Sequence, residues 1–129
     1  MKMRRIPVVS LIGLIAVMLA ACGGSASAST PAPITGQTIN VDETEFAYTP
    51  NTFNASVGQP ITFKITNKGT VDHTFVILGQ DGQEAAKTNV KVGATATLQF
   101  TPTAAGTYPI VCDLPGHKEA GMQGTLTVK

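Results

Sequence analysis

From Gln37 onward, apolar residues recur at every second position in short runs separated by turn residues. Ile61, Phe63 and Ile65 alternate with Thr62, Lys64 and Thr66; Ala96, Leu98 and Phe100 alternate with Thr97 and Gln99; Leu126 and Val128 flank Thr127. A period of two sends successive side chains to opposite faces, so each run reads as a half-buried strand. His73 to Leu78 is almost continuously apolar, as a more central strand is. Tyr108 to Cys112 forms another, with Tyr108, Ile110 and Cys112 on one face. Thr49-Pro50-Asn51, Val57-Gly58-Gln59-Pro60, Asn67-Lys68-Gly69, Gly79-Gln80-Asp81-Gly82 and Ala105-Gly106 punctuate the runs. Only Gln83 to Thr88 reads as weakly helical. The pattern predicts an all-β, Greek-key sandwich or barrel of one domain, with Gly106-Thr107-Tyr108 suited to a tyrosine corner.

The first residues follow a different rule. Lys2, Arg4 and Arg5 precede an apolar run from Ile6 to Ala21, which ends in Leu19-Ala20-Ala21-Cys22. That is the pattern of a secretory signal peptide over residues 1–21. The small residues before Cys22 resemble the lipobox of bacterial lipoproteins, in which the cysteine is acylated and becomes the mature N-terminus. A run of about 16 residues is short for a membrane span, and Pro7 and Gly13 weaken it further. Cys22 and the uncharged stretch Gly23 to Gly36 then form a tether with two prolines. As a coil its ends would lie ~20 Å apart. The expected domain is 37–129, exported, anchored through lipid at Cys22, and facing the periplasm or the cell exterior.

Composition excludes several functions. Charged residues are 13% of the 129. Without the leader, six basic residues face eight acidic ones, a net charge of −2. A nucleic-acid binder needs a basic surface that this chain lacks. The Asp42-Glu43-x-Glu45 cluster reads as a solvated surface run rather than an acidic contact. With Cys22 acylated, Cys112 has no partner for a disulfide. An odd thiol in an exported protein is buried and inert, reactive by design, or bound to a metal.

The remaining donors decide among these. Outside the leader the chain has two histidines, His73 and His117, and one methionine, Met122. Cys112, His117 and Met122 lie within eleven residues, and His73 opens the apolar strand. Taken alone, a histidine is more often at the surface, a methionine more often fills a core, and a cysteine is more often buried and inert. Together, one thiolate, two imidazoles and a weak thioether form the donor set of a blue-copper site. Soft sulfur stabilises Cu(I) and imidazole accepts both oxidation states. Zinc rarely takes a thioether, which argues against it. Pro115-Gly116 and Gly121 supply the turns that let one loop deliver three donors. His73 is expected from the neighbouring strand, pinning the two sheets together at one end.

At these residues the sequence resembles the cupredoxins, the small blue copper proteins of the auracyanin, plastocyanin and azurin kind. Cys112-x4-His117-x4-Met122 carries the likeness, with Pro115-Gly116-His117-x-x-x-Gly121-Met122-x-Gly124-Thr125-Leu126 as its most specific part. Phe46-x-Tyr48-x-Pro50, Val57 to Phe63, Asn67-x-Gly69-x-x-x-His73 and Gly106-Thr107-Tyr108 extend it across most of 37–129. The resemblance implies one mononuclear type 1 copper ion, with His73, Cys112 and His117 as strong equatorial ligands and Met122 as the axial one. It also implies a surface-edged His117 ringed by Leu114, Pro115, Gly116, Ala120 and Gly121.

Two departures stand out. Many relatives have Asn after the first ligand, where this chain has Thr74, whose hydroxyl offers a smaller version of the same cross-loop bond. Many have Ser or Thr after the ligand cysteine, where this chain has Asp113, a carboxylate that favours Cu(II). Pro115 has no N–H to give the sulfur. Leu114 and the backbone near His73 are therefore the candidate donors to it.

The expected function is carriage of single electrons between redox partners, a cytochrome or a membrane oxidoreductase, by a monomer. An enzyme is not expected: multicopper oxidases need more histidines, and a binuclear copper centre needs a second loop cysteine. Copper delivery by a lipoprotein with the same ligands is the alternative, distinguished by facile copper transfer in place of fast electron exchange. A metal-free adhesive sandwich would stay colourless with Cu(II).

Overall fold

The structure, a computed structural model, describes residues 36–129. The expected leader, Cys22 and the tether up to residue 35 lie outside the described residues. Within them run nine strands: β1 (Gln37–Thr44), β2 (Ala47–Thr49), β3 (Thr52–Ala55), β4 (Ile61–Asn67), β5 (His73–Leu78), β6 (Glu84–Val90), β7 (Thr95–Phe100), β8 (Gly106–Val111) and β9 (Gln123–Val128). They form two sheets, ordered β2-β1-β4-β7 and β3-β9-β8-β5-β6. The all-β sandwich read from the alternation is therefore the fold.

Period two governs burial as expected. In β4, Ile61, Phe63 and Ile65 are buried while Lys64 is exposed. On the facing sheet, Phe75, Ile77, Ile110, Leu126 and Val128 close the core. Phe63 packs on Phe53 and Phe75 with ring centroids 5.4 and 5.1 Å apart. Burying one such ring contributes roughly 1.5–3 kcal/mol, so these aromatics carry much of the hydrophobic stabilisation in a chain without Trp. The Tyr108 hydroxyl donates to the Ala104 carbonyl at 2.9 Å, four residues upstream, which makes the tyrosine corner.

Two local readings are corrected. Gln83 to Thr88 is not helical: Glu84–Val90 is edge strand β6, paired antiparallel with β5. Its alanines and charges favour a helix locally, but β5 leaves a free edge there and tertiary pairing overrides propensity. His73 also does not join the two sheets. β5 and β8 are neighbours in one sheet, with Val76 opposite Val111. His73 and the residue after β8 therefore meet at one end of a single sheet.

A candidate metal centre

The antiparallel pairing of β5 with β8 brings the start of one strand beside the end of the other. His73 opens β5, and Cys112 follows the last residue of β8. The chain then turns back through residues 112–122 before β9. Backbone bonds close this loop: Cys112 N–H donates to the Met122 carbonyl at 3.2 Å, Met122 N–H to the His117 carbonyl at 3.0 Å, and His117 N–H to the Leu114 carbonyl at 3.1 Å. Gly116 and Gly121 take φ of 83° and 111°, values that residues with a Cβ rarely adopt. A side chain at either position would strain the loop that delivers three of the four predicted residues.

The loop folds His117 back onto His73 and Cys112. The two Nδ1 atoms lie 3.2 Å apart, and His117 Nδ1 lies 3.4 Å from Cys112 Sγ. All three donor atoms fall within 4.8 Å of one another. Cys112 and Met122 are fully buried, His73 is almost so, and His117 is half-buried. Met122 belongs to the same buried core cluster as Cys112, and its backbone is tied to both Cys112 and His117.

This set suits a soft metal ion. Burial disfavours the imidazolium of His73, with His117 adding repulsion, so its pKa falls and the ring stays in the neutral, ligating form. Its Nε2 is buried without a hydrogen-bond partner. The other ring nitrogen, Nδ1, is the one turned toward His117 Nδ1 and is the atom free to take a metal. Two imidazole nitrogens and a thiol sulfur, clustered with no carboxylate among them, fit copper better than a hard cation.

A frame of polar side chains fixes the first histidine. Asn67, at the end of β4, donates from its amide to the carbonyls of Val71 (2.8 Å) and Val90 (3.0 Å), and its Oδ1 accepts from Gly69 N–H at 2.8 Å. Val90 pairs with His73 across β5 and β6, so one buried amide grips both flanks of that histidine. The Glu45 carboxylate accepts from Thr70 N–H, the Thr70 hydroxyl and Val71 N–H. Those bonds, led by the Thr70 amide, lower its pKa to about 2. The Tyr48 hydroxyl donates to the Thr74 carbonyl at 2.7 Å.

At the sulfur, sequence points to backbone donors from Leu114 or near His73. The structure brings the Thr74 hydroxyl instead, 3.4 Å from Cys112 Sγ. As the sequence suggests, Thr74 ties the loops together: its hydroxyl lies 2.8 Å from Asp113 Oδ1 and accepts from Asp113 N–H at 3.0 Å. Lys87 Nζ lies 2.5 Å from Asp113 Oδ2. That contact is the main reason the Asp113 pKa is lowered and the Lys87 pKa raised.

Sequence reasoning missed four contributors. Phe46 packs edge-on against His117, and Lys87 reaches Asp113 from an edge strand. Glu45 and Asn67 hold the loop before His73. The acidic cluster is not a solvated run throughout, because Glu43 is fully buried. Alternation along β1, with Val41 and Glu43 on the inner face, was the signal that could have placed it.

A cupredoxin-like domain family matches residues 11–128. Auracyanin-A of Chloroflexus aurantiacus is 28% identical, over 96% of each chain. Plastocyanin A/B of Petroselinum crispum is 32% identical over 67% of this chain and 92% of its own. Among solved structures, dithionite-reduced auracyanin from the photosynthetic bacterium Roseiflexus castenholzii superposes with a TM-score of 0.66 at 29% identity, covering 73% of this chain and 98% of that one.

Proposed function

This chain belongs to the cupredoxin-like family, and from that premise we propose that it is a type 1 copper protein carrying single electrons outside the cytoplasm. The observation that carries the reading is the convergence of one donor atom each from His73, Cys112 and His117 within 4.8 Å, with His117 Nδ1 3.2 Å from His73 Nδ1 and 3.4 Å from Cys112 Sγ. His73, Cys112, His117 and Met122 would hold one copper ion, which would supply a one-electron Cu(II)/Cu(I) couple.

The protein's part is to keep those donors still. Both flanks of His73 are held through Asn67, the loop before it through Glu45, and the Cys112–Met122 loop through its own backbone bonds. A frame this constrained lets the ligands serve both oxidation states with little rearrangement. Burial of Cys112 and Met122 excludes water from the sulfur side, and half-buried His117 provides the route to the surface.

Beside His117 the exposed Lys118 and Glu119 offset each other in charge, and exposed apolar residues gather at the same end. Three of the four large exposed hydrophobic residues among those described gather at this end: Phe46 on the His117 ring, Val71 beside Glu45, and Val92 beside Asp72. Leu114 and Pro115 continue the patch. Three further lysines are paired: Lys68 with Asp42, Lys87 with Asp113 and Lys91 with Asp72. An apolar face with little net charge suits brief encounters with a redox protein, a cytochrome or a membrane oxidoreductase. Residues 1–21 are read as the signal peptide and Cys22 as the lipidated anchor, with the tether to Gly36 letting domain 37–129 turn toward partners near the membrane.

Titrating the purified protein with Cu(II) tests the reading. An intense visible thiolate-to-copper band is expected, and it should disappear in Cys112→Ser. A protein that stays colourless would refute it.

A further inference from the structure

Thr74 Oγ1 stands among three groups and has one proton to give. It accepts from Asp113 N–H at 3.0 Å, which leaves its own proton two acceptors: Asp113 Oδ1 at 2.8 Å and Cys112 Sγ at 3.4 Å. Carboxylate and sulfur therefore compete for one hydroxyl. The carboxylate has the shorter contact and the full charge, so it would win outright if nothing opposed it. Lys87 opposes it. From β6, where Lys87 stands opposite Val76, its ammonium reaches over β5 to Asp113 Oδ2 at 2.5 Å. The two side chains are 30% and 39% exposed, so solvent screens the pair only in part.

We propose that Lys87 is a positioning residue for the metal thiolate, acting through Asp113 and Thr74. By occupying one carboxylate oxygen and offsetting its charge, the ammonium weakens the pull of Asp113 on the shared proton and frees Thr74 to donate toward Cys112 Sγ. The inference rests on the copper reading above. Hydrogen bonding at the cysteine sulfur is one of the quantities that set the potential of such sites. A donor at the sulfur draws electron density from it and favours the reduced ion. Removing the Lys87 charge should strengthen the Thr74–Asp113 bond and withdraw that donor.

The test is the reduction potential and the thiolate charge-transfer band of the copper-loaded protein in Lys87→Gln, alone and combined with changes at Thr74 and Asp113. Lys87→Gln should lower the potential, changing the Cu(I)/Cu(II) ratio at fixed poise about threefold, ~30 mV at 59 mV per tenfold for one electron. It should also move the band. A bare charge acting through space would lower the potential too, so the double variants decide. In Thr74→Val the Lys87→Gln shift should fall to less than half. In Thr74→Ser, which keeps the hydroxyl, it should return. Asp113→Asn should raise the potential and abolish the dependence on Lys87. An equal Lys87→Gln shift with and without the Thr74 hydroxyl, or no shift at all, would overturn the relay while leaving the blue-copper reading intact. A wild-type protein without the band would overturn both.

Discussion

Phe46 stands edge-on to His117, with ring centroids 5.0 Å apart and planes at 80°. The contact covers one side of the half-buried His117 ring, and Phe46 itself is 40% exposed. An exposed aromatic against the ring of a proposed ligand would both shield it and offer a partner an apolar contact. Phe46→Ala is expected to slow electron self-exchange several-fold, measured by NMR line broadening in mixtures of the two oxidation states. The visible band should persist, because no donor atom is lost. Exchange as fast as wild type would show that this face is not the one used.

Glu43 lies fully buried on the inner face of β1, and neither carboxylate oxygen has a partner. Its neighbours in register are Tyr48 on β2 and Asn67 on β4. The Tyr48 hydroxyl is committed to the Thr74 carbonyl, and the Asn67 amide to Val71 and Val90. With no donor left, burial raises the Glu43 pKa from 4.5 to about 7. The folded state then holds its proton longer than the unfolded state. Glu43 costs little below pH 4.5, and its penalty grows as pH rises through 7. The full penalty is about 3 kcal/mol. Glu43→Leu should therefore gain stability over wild type as pH rises from 4 to 8, followed by denaturant unfolding at each pH. A difference that does not vary with pH would show that Glu43 does not titrate in this window.

The fold was legible because alternation is a property of single strands. Ile61, Phe63 and Ile65 announce an inner face whatever pairs with β4. Pairing itself is not local, so the placement of β5 and β8 in one sheet cannot be read from either strand, and the bridging role expected of His73 gives way to the observed sheet order. Edge strand β6 was missed for the same reason, since Glu84-Ala85-Ala86-Lys87 has no strand pattern until β5 presents its free edge.

At the site, the four candidate donors were legible because a chain with so few soft ligands leaves little choice. Their supports were not. Asn67, Glu45 and Lys87 are ordinary polar residues whose roles depend on contacts up to 26 positions away in the chain. Phe46 belongs to a recognisable stretch, but its partner His117 lies most of the domain away along the chain.

Asn67 offers a direct test of that hidden frame. It satisfies two carbonyls and one N–H while almost completely buried. Asn67→Ala would strand those groups away from water and leave a cavity. A loss of about 2–4 kcal/mol is expected in the metal-free protein, measured by chemical denaturation. Because Val71 and Val90 flank His73, copper retention against a chelator should weaken as well. A variant that loses stability but retains copper as tightly as wild type would show that the Asn67 frame does not control His73.

Met122 is the proposed weak donor, and its side chain can be tested apart from its backbone. Its side chain is fully buried in the core cluster, while its backbone bonds hold Cys112 and His117 in place. Those bonds do not depend on the side chain, and Leu has nearly the volume of Met, so Met122→Leu should fold with a loss under about 1.5 kcal/mol. If the thioether is a weak axial donor, its removal takes electron density from the metal and favours the reduced ion. The expected outcome is a protein that still binds copper and keeps its visible band, with a reduction potential above that of wild type in direct voltammetry. Loss of the band would mean that Met122 is needed to assemble the centre. An unchanged potential would mean that its sulfur serves the core alone.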